Sequence, residues 1–115
     1  MFRFPKTSRL LKRAQFRATL DHGSKVTDRN LVVVALPAGG AGARLGLIVS
    51  KKVGGAVQRN RVKRLLRERF RVARDALEPV DLVIIARHRV AAVAATELFA
   101  SFDRCLDRLR KRPGT

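Results

Sequence analysis

Cysteine, large aromatics and negative charge are all scarce in this chain of 115 residues. A single cysteine, Cys105, excludes an internal disulfide and a multi-cysteine metal site, and it fits a reducing cytosol. Its helical setting reads as a small buried residue. The only histidines, His22 and His88, supply no organised base for it. Tryptophan and tyrosine are absent, so stacking platforms are limited to six phenylalanines. The nine carboxylates are scattered, and none forms the cluster a two-metal nuclease needs. No catalytic residue and no metal ligand is therefore assigned. No apolar run approaches the ~20 residues of a membrane span. Met1-Phe2-Arg3-Phe4-Pro5-Lys6 has no apolar stretch behind it of the kind a signal peptide carries. The expectation is a cytoplasmic protein with no membrane partner and no small-molecule cofactor.

What is abundant is positive charge. Net charge is +17, from 26 cationic and 9 anionic residues. Apolar residues make up 46%, enough for a real core, and the length fits one domain spanning 1–115. A folded domain this basic repels itself unless a polyanion is its usual partner, and nucleic acid leads that class. Nineteen of the cations are arginine, which suits bidentate phosphate contact and stacking on bases.

The hydrophobic pattern alternates helix and strand. Residues 9–22 read as a helix stopped by Gly23. Lys25–Asp28 reads as a short pairing segment, and 31–36 as a strand ended by Pro37. Residues 44–50 read as another strand, and 31–50 together as a hairpin. A helix covers 56–77, with Val62, Leu65, Leu66, Phe70, Val72, Ala73, Ala76 and Leu77 on one arc and Lys63, Arg64, Arg67, Arg71 and Arg74 opposite. Arg69 falls inside the apolar arc and snorkels from its edge. The wholly apolar run 82–86 suits a central strand, and 94–111 a last helix. Residues 1–8 read as an irregular lead-in and the tail after Arg112 as frayed. The fold class is α+β: a single-domain α/β sandwich of order α-β-β-β-α-β-α. Its sheet has about four strands, and helices cover one face.

Each candidate site has a bland alternative. The basic face of the 56–77 helix could be a solvated charged face, but same-sign neighbours at i,i+4 weigh against that unless a polyanion covers them. Gly54-Gly55 could be an ordinary turn, or could let backbone approach a phosphate at the helix start. It is no P-loop, and 40–46 does not complete G-x-G-x-x-G. Phe70, Phe99 and Phe102 fit helix cores. Phe16, beside Arg13 and Arg17, fits either a core or a surface cleft that stacks a base. Asp103 and Asp107 alternate with Arg104 and Arg108, which suggests surface ion pairs. Arg87-His88-Arg89 closes the central strand, either as a cap or as part of a phosphate-binding rim.

The stretch from Ser50 to Arg67, centred on Arg59-Asn60-Arg61-Val62-Lys63-Arg64, resembles the RNR motif of the bacterial ribonuclease P protein family. Arg9-Leu10, Phe16 and His22-Gly23 resemble the family's first helix, 46–52 the strand before the motif, and 81–87 the strand after it. The resemblance implies an obligate protein partner of a catalytic RNA. That RNA uses Mg²⁺, held mainly by RNA and substrate, to cut the 5′ leader from precursor tRNA. It also implies a left-handed βαβ crossover, contrary to the usual hand. Carried over by position, Arg59, Asn60, Arg61, Lys63, Arg64 and Arg67 contact the ribonuclease P RNA, with Ser50, Lys51 and Lys52 close by. Phe16, Leu20 and Val34 match the cleft facing the precursor tRNA 5′ leader, and Arg87 and His88 join its rim. Leu20 and Val34 are aliphatic where relatives can carry aromatics, so leader contact should rest more on apolar packing and charge than on stacking.

Two rival readings stand beside this one. A ribosomal or DNA-binding protein could use the 56–77 helix in a groove, although only Gln58 and Asn60 offer the amides that a base reader favours. A self-sufficient nuclease would need the carboxylate cluster that the sequence lacks.

Overall fold

The computed structural model describes residues 10–39 and 42–111. Expectations for Arg9, the lead-in 1–8 and the tail after Arg112 lie outside them. The elements are α1 (Arg13–His22), β1 (Ser24–Thr27), β2 (Leu31–Pro37), β3 (Arg44–Ile48), α2 (Ala56–Ala73), β4 (Val80–Ala86) and α3 (Ala95–Lys111), with short 3-10 turns at Lys51–Val53, Arg74–Ala76 and His88–Ala92. This is the expected order. The four strands form one sheet, β1-β2-β4-β3.

Two expectations about the sheet are corrected. Strands β2 and β3 do not form a hairpin, because β4 lies between them, antiparallel to β2 and parallel to β3. Every position of Leu82–Ala86 is apolar, so β4 gains most from a central place with both faces covered. The second correction concerns the helices, which cover both faces. Leu31, Val33, Leu82 and Ile84 point to one face and pack under α2 and α3 with Val62, Leu66, Phe70, Leu98 and Phe102. Val34 and Val83 point to the other face, with Leu11 and Phe16 against them. Alternation along β2 and β4 gives the sheet two apolar faces, so one helical layer could not bury both.

Helix α1 begins at Arg13 rather than near residue 9, because the residues just before it are extended. Leu10 bridges Leu45 in parallel, and Leu11 N–H donates to the Leu45 carbonyl at 3.0 Å. The α1 start is then closed locally, with Lys12 N–H donating to Gln15 Oε1 at 2.8 Å. Helix α2 ends earlier than its pattern suggested, and Val72 is exposed.

Arginines lock the layers together. Arg69, the outlier on the apolar arc, reaches α3, where its guanidinium pairs with Asp103 and stands 5.6 Å from the Phe99 ring centre. Asp107 pairs with Lys111, Arg104 reaches Asp28 and Glu97, and Arg108 donates to the Thr27 carbonyl at 2.8 Å. Arg104 and Arg108 therefore tie α3 to the end of β1 and the turn that follows it. Cys105 is buried, as its position suggested, and burial pushes its thiol up to about 11.

Candidate nucleic-acid interface

The parallel β3–β4 pair brings two basic segments to one end of the sandwich. Strand β3 runs on into the Lys51–Val53 turn, and β4 into the His88–Ala92 turn. Helix α2 starts between them, so its first turns share that end with both.

Ser50 Oγ accepts from Lys52 N–H at 3.3 Å and shapes the turn that presents Lys51 and Lys52, both exposed. Gly54 follows with φ +157°, a conformation that side chains rarely adopt, and a Cβ there would press on Gln58 at 3.1 Å. Both glycines are extended, and Gly54 takes a backbone geometry open mainly to glycine on the way into α2. Gly55 N–H is already occupied, donating to Gln58 Oε1 at 2.8 Å. This N–H caps its own helix instead of facing a phosphate.

The Arg59-Asn60-Arg61 triplet divides by helix geometry. Asn60, Arg64, Arg67 and Arg71 recur at i, i+4, i+7 and i+11, so they form one stripe, and all are exposed. Arg59 shares a row with Val62, Leu66 and Phe70, so it emerges from the buried side. It is half-buried, and its Nε is buried with no hydrogen-bond partner among the described residues. Arg61 is half-buried too and donates from Nη2 to the Val93 carbonyl at 3.2 Å, tying α2 to the segment after the His88–Ala92 turn. Lys63 is half-buried.

The α1 face holds the second set. Helix α1 crosses the sheet from β3 to β2. A Cβ on Gly46 would lie 2.4 Å from the Phe16 ring, and one on Gly23 would lie 2.7 Å from Val34 Cγ1. Glycine therefore lets the ring of Phe16 sit directly on β3. The register row Val34–Val83–Gly46 lies under this helix, and Val34 is only 2% exposed. It supports Phe16 from beneath and does not reach the surface. Leu20 is 43% exposed on the helix.

The next row, Val32–Ile85–Ile48, is half-buried and left partly uncovered. It forms an apolar floor beside Phe16 that leads toward the exposed residues Arg87 and His88. Sequence reading missed these floor residues because only the strand register brings them together. On the far side of the α1 row, Arg44 grips the buried Asp81 carboxylate in a fork, Nε to Oδ1 at 2.7 Å and Nη2 to Oδ2 at 2.9 Å.

Among the described residues no group of three or more His, Cys, Asp or Glu could hold a metal ion. The donor chemistry explains this: Asp28, Asp81, Glu97 and Asp103 all carry arginine partners. No described helix is long and apolar enough to cross a membrane.

Fold and surface together define a small basic α+β sandwich with a cationic end and an adjoining, partly uncovered apolar strip, a surface that suits a nucleic-acid-binding protein. Comparison with known proteins fixes the family. The profile of the Ribonuclease P family matches residues 4–110, so the chain belongs to the ribonuclease P protein family. It is similar to a ribonuclease P protein component from Desulfatibacillum aliphaticivorans, 41% identical over 94% of this chain and 92% of that protein. The solved ribonuclease P protein of Staphylococcus aureus superposes with a TM-score of 0.83 at 32% identity, covering 90% of this chain and 95% of that one. That of Thermotoga maritima gives 0.71 at 29% identity, covering 93% and 98%. As a member of this family the chain is the accessory protein subunit of the endoribonuclease that matures tRNA 5′ ends.

Proposed function

We propose that this chain, acting in the cytoplasm as one domain over 1–115, grips the ribonuclease P RNA with its cationic end and cradles the precursor tRNA 5′ leader in the α1-face groove. The observation that carries this reading is the convergence of Lys51, Lys52, Asn60 and the His88–Ala92 turn on one end of the β3–β4 pair, from which the exposed stripe continues along α2 through Arg64 and Arg67. Cations carried on rigid elements neutralise phosphates without any ordering of the backbone and release the counterions those phosphates held. Arg59, Arg61 and Lys63 flank the stripe, with Ser50 setting the turn beside it. In the groove, Phe16 and Leu20 offer apolar contact, Val34 backs them, and Arg87 and His88 supply charge at the rim.

The Mg²⁺ of the reaction belongs to the RNA and substrate. Among the described residues, carboxylates such as Asp28 and Asp81 are committed to arginines and do not form a site for it. The protein lowers the Mg²⁺ demand by neutralising phosphate from its own side. Processing of a precursor tRNA by a bacterial ribonuclease P RNA at low Mg²⁺ tests this. The expected result is clear stimulation by the protein, and no stimulation would overturn the proposal.

A further inference from the structure

The arginine at the groove rim is not left to find its own place. Arg87 N–H donates to the Asn30 carbonyl at 2.9 Å, and Arg87 Nη1 donates to the Asp28 carbonyl at 3.2 Å. Both acceptors belong to the turn between β1 and β2. That turn is itself firmly held. Asp28 Oδ1 accepts from Asn30 N–H at 2.8 Å and from Leu31 N–H at 2.9 Å. Asn30 is only 1% exposed, and its amide donates to Ser101 Oγ at 2.7 Å and to Glu97 Oε2 at 2.9 Å on α3. Arg104 closes the network, donating to Asp28 Oδ2 at 3.0 Å, Ser101 Oγ at 2.9 Å and Glu97 Oε2 at 3.2 Å.

We propose that the Asp28–Asn30 turn, clamped to α3 through the buried Asn30 amide, is a positioning element that fixes the Arg87 guanidinium at the rim of the groove for a phosphate of the leader. The inference rests on the leader-cradling role proposed above and names the residues that place its rim charge. The physical reason is entropic. A free arginine side chain loses much rotamer freedom when it binds phosphate. One whose Nη1 already leans on a carbonyl has lost part of that freedom on folding. A guanidinium carries five N–H donors, so the bond to Asp28 leaves the others for the ligand. Asn30 never touches RNA in this arrangement. It acts through Arg87, two residues beyond the floor residue Ile85.

The test is the leader gain: the affinity of the holoenzyme for a precursor tRNA divided by its affinity for the same tRNA without a leader. Arg87→Ala should lower this ratio severalfold. Asn30→Ala should lower it in the same direction, and Ser101→Ala should repeat the effect through a gentler change if Asn30→Ala folds poorly. In the Arg87→Ala background neither substitution should lower the ratio further, whereas a merely structural role would lower melting temperature in both backgrounds and leave the ratio alone. If Arg87→Ala lowers the leader gain but Asn30→Ala and Ser101→Ala leave it intact, or add to Arg87→Ala, the positioning role is overturned and the cleft stands. If Arg87→Ala itself leaves the gain unchanged, the place of Arg87 in the cleft falls, and the positioning role with it.

Discussion

Gly46→Ala probes the contact on which the α1 face is built. Glycine in a strand interior is unfavourable by roughly 0.5–1 kcal/mol relative to alanine, so an unobstructed substitution would stabilise the protein. At Gly46 the new methyl would meet three Phe16 ring atoms at 2.4, 2.6 and 3.0 Å. Carbon atoms in contact prefer about 3.5–4.0 Å, so the ring must retreat by about 1 Å. Val34 and Val83, both buried in the same row, leave it little room on the sheet side. The ring or the whole helix must lift. Overpacking of this kind costs about 1–3 kcal/mol, which exceeds the backbone gain. The net expectation is a drop of about 1–2 kcal/mol in urea unfolding monitored in sulfate buffer, or roughly 5–10 °C in Tm. Phe16→Leu in the same chain should recover part of this, with a coupling of about 0.5 kcal/mol or more. Gly46→Ala that is neutral or stabilising would refute the packing of Phe16 on β3, and with it the form of the groove.

Other consequences concern titration. Burial alone would raise the Asp28 carboxyl, but donors from Leu31, Ser101, Asn30 and Arg104 outweigh it and hold the group below its usual 3.8. A depressed carboxylate stabilises the fold above its unfolded pKa, and that contribution disappears as pH falls through the folded value. Stability should therefore drop below about pH 4, and Asp28→Asn should be less stable at neutral pH with a flatter acid limb; parallel acid limbs for the two proteins would contradict this. Cys105 shows the opposite case, since burial raises its thiol from 9.0 to about 11 and Asp28 adds to the rise. At pH 8 its reaction with a disulfide reagent should be on the order of a hundredfold slower in the folded protein than in urea, and equal rates would count against its burial.

The legible part of this fold was the part written in local pattern. The 3.6-residue spacing of Val62, Leu66 and Phe70 marked α2, and the apolar run Leu82–Ala86 marked a central strand. The failures were long-range. Nothing local says that β4 inserts between β2 and β3, so adjacency in sequence suggested a hairpin that does not form. The groove floor Val32–Ile85–Ile48 exists only through that insertion. The basic stripe was visible as charge at helical spacing. The commitments of Arg61 to Val93 and of Arg104 to Asp28 were not, because each depends on a partner far away in sequence. Arginine counts alone could not separate cations that bind RNA from cations that hold the fold.

In the function proposed here, the exposed stripe on α2 meets RNA phosphates, while the flanking arginines also serve the fold. The salt dependence of affinity for the ribonuclease P RNA separates the two roles when the native protein is compared with Arg64→Ala and Arg67→Ala. Each substitution should weaken binding and flatten the slope of log affinity against log salt by about one for every phosphate it ceases to neutralise, with Tm nearly unchanged. Slopes equal to that of the native protein would show that the stripe faces solvent in the complex, and would contradict this assignment.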